Sequence, residues 1–234
     1  METPAPSPAR ADLLPSLGRL VRGLALLFWA LPLSLVVCVQ TARTTFLAGA
    51  GILPPVLALG LVVHALFLMA TFQPRERVWV RALDRVRVLA LINLGLAPFL
   101  HWWRQMPEVT HYQVAVVVLA ASGLAFLVTL NAALRRLVAM LPDETLRLEV
   151  RLFTNLNLAL LAALGLLGLA LKLGLQLSSS ANSSPWIPGL MLHFGTAALL
   201  VLALLPVALT MTLIWKIKEA ILQSVFHPQN LAGN

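Results

Sequence analysis

Apolar residues gather into six long runs, and the polar segments between them alternate in kind, arginine-rich and then nearly uncharged. A helix needs about 20 residues to cross a hydrocarbon core of about 30 Å. The runs place such helices at 20–39, 46–72, 86–103, 112–134, 155–177 and 187–215. None shows the two-residue alternation of a strand, which excludes a membrane β-barrel. The expected fold is all-α, a polytopic integral membrane bundle of six transmembrane helices. Residues 1–16 contain four prolines and few large apolar groups, and read as a disordered N-terminal tail. Residues 17–227 read as one six-helix domain, and 228–234 as a C-terminal tail.

Charge orients the bundle. Arg10, Arg19 and Arg22 precede the first run; Arg75, Arg77, Arg81, Arg85 and Arg87 fill the second connection. Arg135, Arg136, Arg147 and Arg151 surround the fourth, and Lys216 and Lys218 follow the sixth run. The other side carries Arg43 and Arg104, with Lys172 near the outer end of the fifth run, where it can snorkel outward. Cytoplasmic loops collect Lys and Arg, so both termini are expected in the cytoplasm. The basic flank of the first run resembles that of a signal peptide, but no small-residue cleavage site follows Val39, so the run reads as a retained helix. Trp102, Trp103, Tyr112 and Trp186 suit an interfacial aromatic belt on the outer side.

Two cytoplasmic connections have helical periodicity of their own. Over 76–87, Val78, Trp79, Ala82, Leu83 and Val86 oppose a stripe of Arg77, Arg81 and Arg85, the pattern of an amphipathic helix with its basic face toward headgroups. Over 143–153, Asp143 and Glu144 suit a helix start, Leu146, Val150 and Phe153 form an apolar face, and Asp143 and Arg147 stand four apart. The segment after Trp215 continues helically through Ile217, Ile221 and Val225. These elbows orient the spans, or offer a docking surface through Arg77, Arg81, Arg85, Arg147 and Arg151. A faint repeat, Phe72-Gln73-Pro74-Arg75, Met140-Leu141-Pro142-Asp143 and Phe226-His227-Pro228-Gln229, suggests three parallel helical hairpins. Proline after a helix end is common enough to produce the same pattern by chance.

Composition agrees with a lipid environment. The chain is 59% hydrophobic and only 11% charged, against about 25% charged in soluble domains. A net charge of +8 invites a nucleic-acid reading, but the cations sit at helix ends. Their expected partner is the anionic cytoplasmic leaflet, worth about 1 kcal/mol per cation. The Leu/Ala/Arg-heavy composition points to a multi-pass protein of a bacterial inner (plasma) membrane. The single cysteine, Cys38, lies inside the first run and has no partner for an intramolecular disulfide.

Candidate chemistry is sparse. None of the nine acids falls inside a span, which argues against the commonest ion-coupled transport, where a membrane carboxylate titrates. No nucleophile–base pair or phosphate-binding glycine loop points to an enzyme. His64, Asn93, Asn131 and Asn157, with Asn155, fall in the inner parts of their helices. They either line an inward-facing polar vestibule or bridge helices. His64 and His193 as haem ligands differ in depth by roughly 8 Å, and His101, His111 and His193 are a weak outer metal set. No cofactor and no metal site is assigned. Ala121 and Ala125, Gly165 and Gly168, and Ala170 with Gly174 are expected at close helix contacts. Pro32, Pro54, Pro55, Pro98 and Pro206 are expected to kink four spans, with Pro206 the best hinge.

The reading that follows is a non-catalytic accessory or scaffold subunit that binds lipid, membrane-protein partners or a second copy of itself, and no nucleic acid. The alternatives are a channel or facilitator for a neutral or anionic small solute, and a membrane haem or metal redox protein.

Overall fold

A computed structural model describes residues 8–43, 48–72, 76–140, 144–180 and 186–226. These are helical, with no strand among the described residues: α1 (Pro8–Arg43), a single 3-10 turn (Ala48–Ala50), α2 (Leu53–Ala70), α3 (Arg77–Leu96), α4 (Pro98–Gln105), α5 (Thr110–Ala139), α6 (Glu144–Ser180) and α7 (Trp186–Phe226). Among them, four stretches are long and apolar enough to cross a membrane: Pro15–Arg43, Leu53–Ala70, Thr110–Ala139 and Arg147–Ala170. The chain is a helical membrane protein.

The most extensive pairings are α1 with α2, α3 with α5, and α6 with α7. Each joins runs that neighbour one another in the chain, so the bundle consists of three helical hairpins. Contacts of α1 with α7, α2 with α3 and α5 with α6 close them into one body. Of the proposed repeat motifs, residues 73–75, 141–143 and 227–229 lie outside the described residues, as do the C-terminal tail and Asp143.

Proline explains where the helices differ from the expected runs. Pro98 has no N–H to donate and its ring crowds the preceding turn. It starts α4 directly after Ala97, so the third run consists of two helical segments, α3 and α4, interrupted at that residue. Pro54 and Pro55 stand in the first turn of α2, where a missing N–H costs nothing. They begin that helix rather than kink it, and Gly51, with φ of 61°, makes the turn that precedes it. At 18 residues, α2 is about 27 Å long. Pro32 and Pro206 do lie inside helices. Pro8 opens α1, so helix extends into the stretch read as a tail.

Neither elbow is a separate element. Residues 77–87 are the first three turns of α3, which continues to Leu96. Their apolar stripe runs on without a phase break: Trp79, Ala82, Leu83, Val86, Ala90 and Asn93 are all buried, and α3 packs on α2 and α5. Trp79 is among the largest fully buried side chains of the molecule. The apolar stripe is covered by protein rather than by lipid, and Val78, just off its axis, is exposed. The second elbow is likewise the start of α6, with Val150 buried.

The core is concentrated at the arginine-rich end. Leu20, Leu24 and Leu27 of α1 meet Leu66 and Met69 of α2, Leu83 of α3, Leu130, Leu134 and Leu137 of α5, and Leu213 and Ile214 of α7 in one cluster. Polar groups tie the same end. Arg136 donates to the Val78 carbonyl at 3.4 Å, and Arg147 donates to the Ala139 carbonyl in the last turn of α5 at 3.2 Å. The latter satisfies a helix-end acceptor with a cation. Lys216 of α7 pairs with Glu149 of α6. Away from this end the packing loosens. No side chain from Thr110 to Ala125 of α5 is buried, and no described side chain of α6 beyond Leu161 is.

Candidate functional site

The polar residues nominated from sequence go to three different places. Asn131 of α5 and Asn157 of α6 converge on Thr210 of α7, forming a polar node in the membrane part of the bundle. The Asn157 amide donates to Thr210 Oγ1 at 2.8 Å, and the Asn131 amide donates to it at 3.1 Å. Asn131 also donates to the Leu127 carbonyl at 2.8 Å. Thr210 in turn donates to the Pro206 carbonyl, four residues back, at 2.7 Å. Asn131, Asn157 and Thr210 are each at most 1% exposed. Thr210 stands six residues from Lys216, so the node lies about 9 Å inside the charged end.

The hydroxyl proton of Thr210 is committed to Pro206, so both asparagines must present nitrogen to its oxygen. That fixes the orientation of both amides and leaves their carbonyl oxygens without partners. Asn131 Oδ1, Asn157 Oδ1 and the hydroxyl of buried Thr154, one turn from Asn157 on α6, make no hydrogen bond. The node is thus a neutral set of buried oxygens, with no carboxylate bonded to it among the described residues. What it offers a ligand is chiefly acceptors.

Asn93 lies elsewhere. It is buried and accepts a hydrogen bond from Ser122 of α5. Ser122 is nine residues from Asn131, about 13 Å along the helix. His64 is exposed on the outward side of α2, in a stripe with exposed Leu57, Leu61 and Phe67. It lies six residues, about 9 Å, from Ala70 at the helix end. Asn155 is exposed while Asn157 is buried, because two residues turn a helix by about 200°. The four vestibule candidates therefore do not share one lining: Asn131 and Asn157 meet, Asn93 joins α3 to α5, and His64 faces out.

Arg77, Arg81, Arg85, Arg147 and Arg151 are all exposed at one end of the bundle. His101 meets Gln105 at 2.9 Å, and His111 lies against Tyr112, ring centroids 4.2 Å apart. The side chain of His193 lies outside the described residues, and no three metal-ligating residues cluster among those described. Phe99, Trp102 and Tyr112 form an aromatic group at the α4–α5 end, with centroids 5.4 to 6.3 Å apart.

Sequence reasoning overlooked Thr210 and Ser122, which complete polar contacts between helices, and the buried, unpartnered hydroxyl of Thr154. Spacing held the signal for two of them: Thr210 follows Pro206 by four residues, and Thr154 precedes Asn157 by three. Nothing in the spacing pointed to Ser122. Comparison with protein-family models, with curated proteins and with solved structures finds no match.

Proposed function

We propose that this is a six-span inner-membrane protein, with its arginine-rich end and both termini in the cytoplasm, that serves as a non-catalytic accessory or scaffold subunit. The observation that carries this reading is His64. An imidazole both donates and accepts hydrogen bonds, and this one has no partner among the described residues while facing out from the apolar helix α2. Hydrocarbon supplies neither donor nor acceptor, and a polar group left unpaired there costs several kcal/mol. A helix of another subunit, or of a second copy, supplies the missing partner. The exposed arginines would hold the assembly at the anionic leaflet.

The test is photo-crosslinking from position 61, one turn from His64, in native membranes, followed by mass spectrometry of the adduct. A single stoichiometric protein adduct that disappears in His64→Leu and persists in His64→Gln is expected. Crosslinks to lipid alone, in both variants, would sink the subunit reading.

The polar node favours a second reading, a facilitator. Its unpaired groups are largely oxygen acceptors, which suits a neutral solute bearing N–H or O–H groups better than an anion. Liposome flux that is unchanged in the Asn131→Leu, Asn157→Leu double variant would remove it.

A further inference from the structure

The arginine-rich end carries a cleft between α1 and α7, lined by Leu24, Phe28, Trp29, Ile214, Trp215 and Lys218. Leu24 and Ile214 are fully buried and make an apolar floor. Phe28 stands edge-on to Trp29, centroids 5.2 Å apart, and 5.8 Å from Trp215. The two indoles are the walls, and both open outward: Trp29 is 70% exposed and Trp215 48%. The Lys218 ammonium lies 4.1 Å from the centre of the Trp215 ring.

The cations flank the cleft on its headgroup side. Lys218 follows Trp215 by one turn toward the charged end of α7. Arg22, exposed, precedes Phe28 by six residues, about 9 Å, toward the charged end of α1. On both helices a cation thus stands at the headgroup side of the apolar and indole side chains that line the cleft, as at a membrane interface. Lys216, two residues away, has its charge committed to Glu149, whereas Lys218 has no carboxylate partner among the described residues. Exposed Glu219 is the one acid close by on α7, against Arg19, Arg22 and Lys218. The excess of positive charge selects an anionic occupant over a zwitterionic one.

We propose that the α1/α7 cleft binds one anionic glycerophospholipid, its acyl chain along Leu24, Phe28 and Ile214 and its phosphate at Lys218 and Arg22. This rests on the bilayer placement proposed above and not on the subunit role.

The test uses the full-length protein reconstituted in phosphatidylcholine vesicles that carry a minor fraction of either brominated phosphatidylglycerol or brominated phosphatidylcholine. Bromine quenches nearby tryptophans, and Trp29→Phe and Trp215→Phe isolate the cleft signal. The expected result is that quenching of the cleft tryptophans reaches half-effect at about fivefold lower phosphatidylglycerol than phosphatidylcholine. Lys218→Gln abolishes this preference and Lys218→Arg retains it. Equal quenching by the two lipids, or a preference that survives Lys218→Gln, overturns the cleft assignment alone. Absence of quenching by either lipid, at these and every other tryptophan, overturns the bilayer placement as well.

Discussion

The α1/α2 hairpin and the α5/α6/α7 group solve the same problem, holding apolar helices together, by different means. In their most apolar stretches α1 and α2 are each 39% buried, whereas α5 and α6 are 11% and 17% buried. The first pair meets through close backbone approach. A Cβ on Gly23 would lie 2.7 Å from Met69 Cγ and 3.0 Å from the Ala65 carbonyl oxygen, so only glycine fits. Lipid offers no hydrophobic drive between helices, and packing and lipid entropy then carry association. In the second group few described side chains beyond the arginine-rich end are buried. What joins all three of its helices is one hydroxyl, Thr210, shared by two amides. A dry contact is spread over many atoms and is strong but rigid. A node is concentrated in a few hydrogen bonds, and its unpaired oxygens leave it open to a further ligand.

The largest expected effect breaks the first of these solutions. Gly23→Val forces α1 from α2 against backbone atoms, and overpacking of this kind costs about 1–3 kcal/mol or more. Thermal unfolding in mild detergent should show the largest drop in midpoint of any single substitution considered for this molecule. An unchanged midpoint would mean that the hairpin is not packed at Gly23.

Breaking the node comes next. Thr210→Val removes the acceptor shared by both amides, leaving Asn157 buried and unpaired and Asn131 with only its bond to the Leu127 carbonyl, at about 1–3 kcal/mol. The asymmetry between unpaired and absent polar groups sharpens the comparison. The triple variant Asn131→Leu, Asn157→Leu, Thr210→Val should be less destabilised than Thr210→Val alone. If the three substitutions instead add independently, the residues do not act as a node.

The smallest effect concerns α6. A Cβ at Gly165 or Gly168 meets nothing within 4 Å, so Gly165→Leu and Gly168→Leu should leave stability within about 0.5 kcal/mol. A clear loss at either site, dependent on protein concentration, would show that this face of α6 is covered by another chain.

These glycines mark where sequence reasoning misplaced the contacts. Ala121, Ala125, Gly165, Gly168 and Ala170 have the small-residue spacing of helix interfaces, yet Ala121, Ala125 and Ala170 are exposed and the two glycines touch no neighbouring helix. The glycine at a close approach, Gly23, stands in no such motif. Spacing within one helix says which residues share a face. It does not say whether that face meets a neighbour.

What the sequence determined by itself is what lipid responds to residue by residue. Hydropathy summed over a turn-by-turn window marks long apolar helices, and the arginines gather at their ends because a cation is costly in hydrocarbon. Neither needs knowledge of a neighbouring helix. Tertiary structure decided the rotation of each helix about its axis and the choice of its partner. That is why Asn157 is buried and Asn155 is not, why Asn131 finds Thr210 seventy-nine residues away, and why His64 faces outward. It also decided that the Trp79 stripe turns into the bundle, since an apolar face is equally satisfied by acyl chains or by protein until a neighbouring helix stands beside it. A hydrogen bond needs its partners within about 3 Å, and only the packing of the bundle brings residues so distant in the chain to that separation.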